Sequence, residues 1–213
     1  MKVLLVNKFH YLKGGAESYY FALADGLKAE GHKVVFFSMK HEMNFPCEQS
    51  KYFVEEVDYN KKHNFLQIIK ISVKLIYSFE AKKKFEELIL DEKPDIIHLS
   101  NVHRQITLSV IDVAHKYDIP VVFTMHDLIC ACPNYVMLSP NGVCEDCLTG
   151  NYLNCVKRNC IKKSKLKSLL GVIETYFYKW RKTYYKVDFY ITPSEFYRKN
   201  SFKPILRIVP LSI

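Results

Sequence analysis

Residues 2–37 read KVLLVNKFHYLKGGAESYYFALADGLKAEGHKVVFF, and the rest of the fold follows from this stretch. Lys2–Val6 is short and almost wholly apolar, the pattern of a strand buried on both faces of a parallel sheet. From Ala16 onward, Ala16, Tyr20, Leu23, Ala24 and Leu27 recur at helical spacing, and Gly31 stands where a helix is closed at its carboxyl end. Residues 34–37, VVFF, form a second strand. A strand, a crossing helix and a strand make a βαβ unit, whose connection forces the two strands to run parallel.

The alternation continues downstream. Residues 65–90 read as one long or two consecutive helices stopped before Pro94, 95–100 as a buried strand, 106–117 as a helix and 120–125 as a strand. Residues 51–54 carry a further strand signal. Toward the end come a strand at 189–192, a short helix at 195–200 and a last strand at 206–209. The expected fold class is α/β: a doubly wound, mostly parallel, Rossmann-like sheet. The rhythm breaks at about 128–160, where a Cys-, Pro- and Asn-rich insertion intervenes. After it, Leu166, Leu169, Leu170, Ile173, Phe177, Trp180, Tyr184 and Val187 mark an amphipathic helix whose apolar side is expected to pack on the sheet.

Composition bounds the function classes. The chain has 213 residues, 49% of them hydrophobic, which is ample for a packed core and excludes disordered and collagen-like classes. The apolar run at residues 3–6 is far shorter than a membrane span or a signal-peptide core requires, so the expected location is the cytoplasm. Basic residues outnumber acidic ones by 31 to 22, for a net charge of +9. The excess is concentrated in two segments, 157–186 and 61–84, each of which contains a single acid. No nucleic-acid motif accompanies them. The expected partner of these faces is therefore an anionic membrane surface, with the protein peripheral at its inner face.

In an open parallel sheet, ligands bind beyond the carboxyl ends of the strands, where strand order reverses. The first strand leads to Gly14-Gly15-Ala16-Glu17 at the start of a helix. Glycines there can admit a ligand to the backbone while the helix amides face an anion such as a diphosphate; a plain tight turn would read the same. The motif is neither GxGxxG nor a Walker loop. The strand ending at Ser100 delivers His98, Asn101, His103 and Arg104, and the strand ending at Met125 delivers His126 and Asp127. Six of the seven cysteines lie between Cys130 and Cys160, and Cys144, Cys147, Cys155 and Cys160 are spaced so that four thiolates could hold one structural zinc ion. Cys130 and Cys132 are extra candidates, and a set of free thiols is the competing reading.

Five stretches in order (2–38, PDIIHLSN at 94–101, IPVVFTMHD at 119–127, FYITPSEFYRK at 189–199 and RIVPLSI at 207–213) resemble the N-terminal half of a family 4 glycosyltransferase of the GT-B fold. The Cys-containing insertion is similar to that of a subgroup from polysaccharide gene clusters. The resemblance implies one domain over residues 1–213 on the acceptor side, and a C-terminal domain for the donor nucleotide, in cis or as a separate chain. It implies transfer of a sugar from a nucleotide-diphosphate sugar to a saccharide or lipid-linked acceptor, with retention and without a catalytic metal. Gly14, Gly15 and Glu17 would lie by the donor diphosphate, with Ser194 and Arg198 also on the donor side. His126 and Asp127 would serve catalysis, and Asn101 and His103 the acceptor. Activity would need the second domain. The alternative is a non-catalytic Rossmann-like module that binds an anionic membrane or a protein partner.

Overall fold

The structure is a computed structural model that describes residues 1–57, 64–197 and 208–210. The chain divides into two compact units, Met1–Thr124 with Lys186–Asp188, and Met125–Tyr185 with Phe189–Ile213.

In the first unit, β1 (Lys2–Val6) pairs in parallel with β2 (Lys33–Phe37) on one side and with β3 (Ile96–Leu99) on the other. β4 (Val121–Thr124) extends the sheet beyond β3. The side-chain alternation of the strands then assigns the helices to faces. α1 (Gly15–Ala29) sets Tyr20 and Ala24 against Val3 and Leu5, with Val34, Phe36 and Ile96 beside them. Phe37, one residue on from Phe36, points to the opposite face and meets Phe85 of α3 (Phe79–Glu92), ring centroids 5.0 Å apart. α4 (Ser109–Lys116) is tied to that layer by Tyr117 Oη donating to Glu86 (2.8 Å) and Tyr77 Oη donating to Asp112 (2.8 Å). The sheet is doubly wound, as the strand–helix alternation requires.

Local chemistry explains the element ends. Gly31, at φ +80, closes α1: its N–H donates to Lys28 O and the His32 N–H to Leu27 O, the paired bonds of a Schellman cap. The long helical signal after residue 64 splits into α2 (Phe65–Ile76) and α3, because Tyr77 is extended and Ser78 caps a new helix by accepting from the Ala81 N–H (3.1 Å). Ser78 is fully buried; its N–H donates to Thr107 Oγ1 and its carbonyl accepts from Ser109 Oγ, so the break is tied into the core. α3 stops at Lys93, which takes the left-handed conformation (φ 49) before Pro94. The strand expected at 51–54 is instead a 3-10 turn at Glu48–Tyr52 followed by one bridge, Met39 to Val54.

The second unit contains a small hairpin of β5 (Leu138–Ser139) and β6 (Gly142–Val143), a one-turn α5 (Leu153–Lys157), α6 (Lys165–Trp180), and the parallel pair β7 (Phe189–Thr192) and β8 (Ile208–Pro210). Residues 195–197 are helical, and the remainder of the helix expected at 195–200 lies outside the described residues.

α6 corrects the sequence reading. Its buried residues are Ser168, Gly171, Val172, Glu174, Thr175 and Tyr178, and Val172 packs with Cys147, Tyr152, Cys155 and Ile161. Leu166, Leu169, Ile173 and Trp180, expected to pack on the sheet, are exposed. Small side chains at Ser168, Gly171 and Thr175 let the helix close on the insertion, and that approach turns the larger apolar stripe outward. The helix ends at Trp180, with Lys182 at φ 52, and a 3-10 turn at Thr183–Lys186 follows.

Candidate functional site

Strand order in the first unit reverses between β1 and β3, so the carboxyl ends of these two strands mark the switch point where a ligand is expected. Asn7, fully buried at the end of β1, organises this edge. Its Oδ1 accepts from the Asn101 N–H (3.0 Å), and its Nδ2 donates to Phe9 O (2.8 Å) and to Glu17 Oε1 (3.2 Å). The Lys8 N–H donates to Asn101 O (2.9 Å). One side chain thus joins the ends of two strands to the first turn of α1.

That first turn has no side-chain cap. Gly14 is extended (φ −170), and its carbonyl accepts from the N–H and the hydroxyl of Ser18. A Cβ at Gly15 would meet nothing within 4 Å, and one at Gly14 would meet only Glu17 Oε2, at 3.7 Å. Neither glycine is demanded by left-handed backbone or by a neighbouring atom. Their effect is to leave open space against the uncapped amides of a helix of 15 residues, whose amino end carries partial positive charge. Lys8 and Lys13, 5.3 and 3.7 Å from the Phe9 ring centroid, add two cations to the loop that leads there. Glu17, 4% exposed, is spent on Asn7 and acts as a strut for the loop.

His103 is buried and stacks on Phe123, with centroids 5.9 Å apart. Burial first, then the charges of Arg104 and Lys8, push its pKa down to about 3, so it is a neutral imidazole at physiological pH. Asn101 is partly exposed, with its backbone fixed by Asn7 and Lys8. His98 contacts Thr124 Oγ1 at 2.7 Å, and Tyr19 Oη lies 3.4 Å from the same hydroxyl. His10, which the sequence does not single out as functional, contacts Tyr20 Oη at 3.2 Å inside a box of Tyr20, Phe21, Phe36 and Phe53; burial, then the charge of Lys28, holds its pKa down to about 4.

In the second unit, His126 and Asp127 follow β4 directly. Burial lowers the pKa of His126, which favours the neutral ring. Asp127 Oδ1 accepts from the Ile129 N–H (3.1 Å), a local turn that shapes the chain after the strand. Tyr197 Oη donates to His126 O (3.3 Å), and Ser194 Oγ accepts from the Tyr197 N–H (3.4 Å), so His126 and Ser194 share Tyr197 as a neighbour. Arg198 lies outside the described residues. The structure therefore gathers Gly14, Gly15, Glu17 and Asn101 in the first unit, and His126, Asp127 and Ser194 in the second. The sequence analysis missed Asn7 and Tyr197; the only signal for Asn7 was a polar residue directly after a buried strand.

Among the described residues, no group of three or more His, Cys, Asp or Glu is arranged to hold a metal ion, and none of the seven cysteines is in a disulfide. The thiols of the insertion nonetheless lie near one another. Cys147 is pushed up to about 12 by burial and then by Cys132, Cys144 and Cys160, and Cys155 up to about 12 by burial and then by Cys160, Cys147 and Cys132. Cys132 thus joins the four thiols expected from spacing.

The family model described as Glycosyltransferase Family 4 matches residues 13–203. An uncharacterised 42.6 kDa protein from the cps region of Klebsiella pneumoniae is 32% identical over 152 residues, which is 66% of this chain and 39% of that protein. Among solved structures, MurG of Acinetobacter baumannii aligns over 99% of this chain and 44% of its own, at 12% identity and a TM-score of 0.48. The spinosyn forosaminyltransferase SpnP aligns over 100% and 51%, at 14% identity and a TM-score of 0.48. The chain spans about two fifths of the length of the curated relative it matches.

Proposed function

The chain belongs to glycosyltransferase family 4, and on that premise we propose that it is the acceptor-side half of an enzyme that transfers a sugar from a nucleotide-diphosphate sugar to a saccharide or lipid-linked acceptor in cell-surface polysaccharide synthesis. The observation that carries the reading is the open, uncapped start of α1 beside the switch point of the sheet. There the amides of Gly15 and Ala16 face the donor diphosphate, with Lys8 and Lys13 close by. These dipoles and charges stabilise the negative charge that grows on the diphosphate as the sugar departs. Asn101 and His103 serve the acceptor side, His103 as a neutral ring fixed on Phe123. His126, whose pKa burial lowers, holds a hydroxyl of the reacting sugar, and Asp127 keeps the turn that presents it. Ser194 contributes on the donor side through Tyr197, and Arg198 is assigned there by resemblance alone.

The second domain supplies the rest of the nucleotide pocket, in cis or as a separate chain, and the reaction takes place at the cytoplasmic face of a membrane. The cps-region relative supports the polysaccharide setting. In this reading a structural zinc ion orders the insertion, with Cys144, Cys147, Cys155, Cys160 and the adjacent Cys132 as the available thiols; their proximity and their free state support it.

Gly15→Val tests the donor site. The added side chain meets no neighbour, so the thermal midpoint is expected to stay within a few degrees of the wild type, while binding of a nucleotide-diphosphate sugar by the protein that carries this chain weakens at least about tenfold. Unchanged binding with the fold intact would overturn the assignment.

A further inference from the structure

α6 presents two opposite faces. The buried one is described above. On the other, Leu166, Leu169, Ile173, Tyr176 and Trp180 follow one another at spacings of three, four, three and four residues, which places them in one stripe. They are 57%, 42%, 44%, 38% and 79% exposed. Isolated exposed apolar residues are ordinary, but five in register on one helix face are not. Just beyond the helix, Tyr185 and Phe189 are also exposed.

Within residues 157–186 the exposed charge has one sign. Lys162, Lys163, Lys165, Lys167, Lys179 and Lys182 are exposed. The single acid between residues 157 and 186 is Glu174, and it is buried. No helix among the described residues is long and apolar enough to cross a membrane. At 16 residues, α6 is about 24 Å long and suits a position in the plane of a surface.

We propose that the outward stripe of α6 is a membrane-docking face, in which Leu166, Leu169, Ile173, Tyr176 and Trp180 enter the headgroup and acyl boundary of an anionic bilayer while the flanking lysines pair with lipid phosphates. An apolar stripe on a segment whose exposed charges are all basic is the pattern of an interfacial helix. A tryptophan at its end matches the residue type that settles at the water–lipid boundary. Charge complementarity selects the occupant: a bilayer rich in acidic lipid supplies both the apolar layer and the counter-charge, whereas a polypeptide would need its own acidic rim around an apolar groove. This deepens the proposed membrane-side reaction and rests on it, since a lipid-linked acceptor would then be presented at the same surface.

Trp180 is the only tryptophan in the chain, so its emission reports this face alone. The experiment titrates the protein with vesicles of phosphatidylglycerol and phosphatidylcholine, with vesicles of phosphatidylcholine alone, and with the acidic vesicles carrying bromine on their acyl chains, and follows flotation in parallel. Blue-shifted emission with the acidic vesicles and quenching by bromine are expected. Leu169→Ser with Ile173→Ser, both at exposed positions, should cut the vesicle-bound fraction at least about tenfold. Flotation without a change at Trp180, or with the double variant unaffected, would overturn this face and leave membrane association standing. Absence of flotation would overturn both. Equal binding to the neutral vesicles would overturn the role of the lysines, and with it the proposal as stated. Emission that shifts on joining the second domain and no longer responds to vesicles would assign the stripe to a polypeptide interface instead.

Discussion

Two buried histidines show how position decides chemistry. Burial lowers the pKa of His10 to about 4 and that of His103 to about 3. Folded, both bind a proton less readily than in the unfolded chain, where an imidazole titrates near 6.5. Between those values the unfolded state holds more protons, so stability is full above about pH 6.5 and falls as the pH drops toward 4 and then 3. The slope is up to about 1.4 kcal/mol per pH unit for each ring. Urea midpoints measured from pH 7 to pH 4.5 should show this decline, and His10→Phe, which keeps an aromatic ring among Tyr20, Phe21, Phe36 and Phe53, should flatten it. An unchanged slope in that variant would contradict the assignment. Among single residues, Gly14, Gly15 and Asn101 could be placed beyond the strand ends from the sequence, because the strands before them are mostly apolar and end in polar residues. Asn7 could not be read in the same way. Its buried, three-bonded side chain looks in a sequence like any asparagine in a turn, and its partners at Asn101 and Glu17 meet it only after the sheet has formed.

The helices and strands divide by how much of their environment is local. β1, β3 and β4 are largely buried on both faces, so they read as mostly apolar runs, with His98 inside β3, and appear where expected. Gly31 announced the end of α1 because a left-handed cap there favours glycine whatever packs nearby. α6 behaved differently: periodicity finds the stripe of Leu166, Leu169, Ile173 and Trp180, but which side is covered depends on the insertion, whose cluster of Cys147, Tyr152, Cys155 and Ile161 claims the side with small residues. That insertion holds Tyr135, Met137 and Asn159 at positive φ, a conformation costly for residues other than glycine. A zinc ion bound by its thiols would offset that cost. Metal analysis of the purified protein is expected to find about one equivalent of zinc, and a strong chelator should lower the thermal midpoint and expose the thiols to modification. Metal-free protein that melts at the same temperature would rule the ion out.

For the whole molecule, the family assignment fits the chemical picture proposed above, in which the start of α1 would face an anion and His126 a sugar hydroxyl. In the proposed enzyme the second domain would select the donor sugar, so this sequence announces a reaction class more readily than a substrate. The direct trial of the account is label transfer from a nucleotide-diphosphate sugar to a membrane-extracted saccharide acceptor, by the protein that contains this chain, with wild-type residue 126 and with His126→Ala. The account predicts transfer by the wild type and a loss of at least about a hundredfold in the variant, with its thermal midpoint preserved. Wild-type transfer that His126→Ala leaves untouched, or no transfer from any nucleotide-diphosphate sugar, would contradict it.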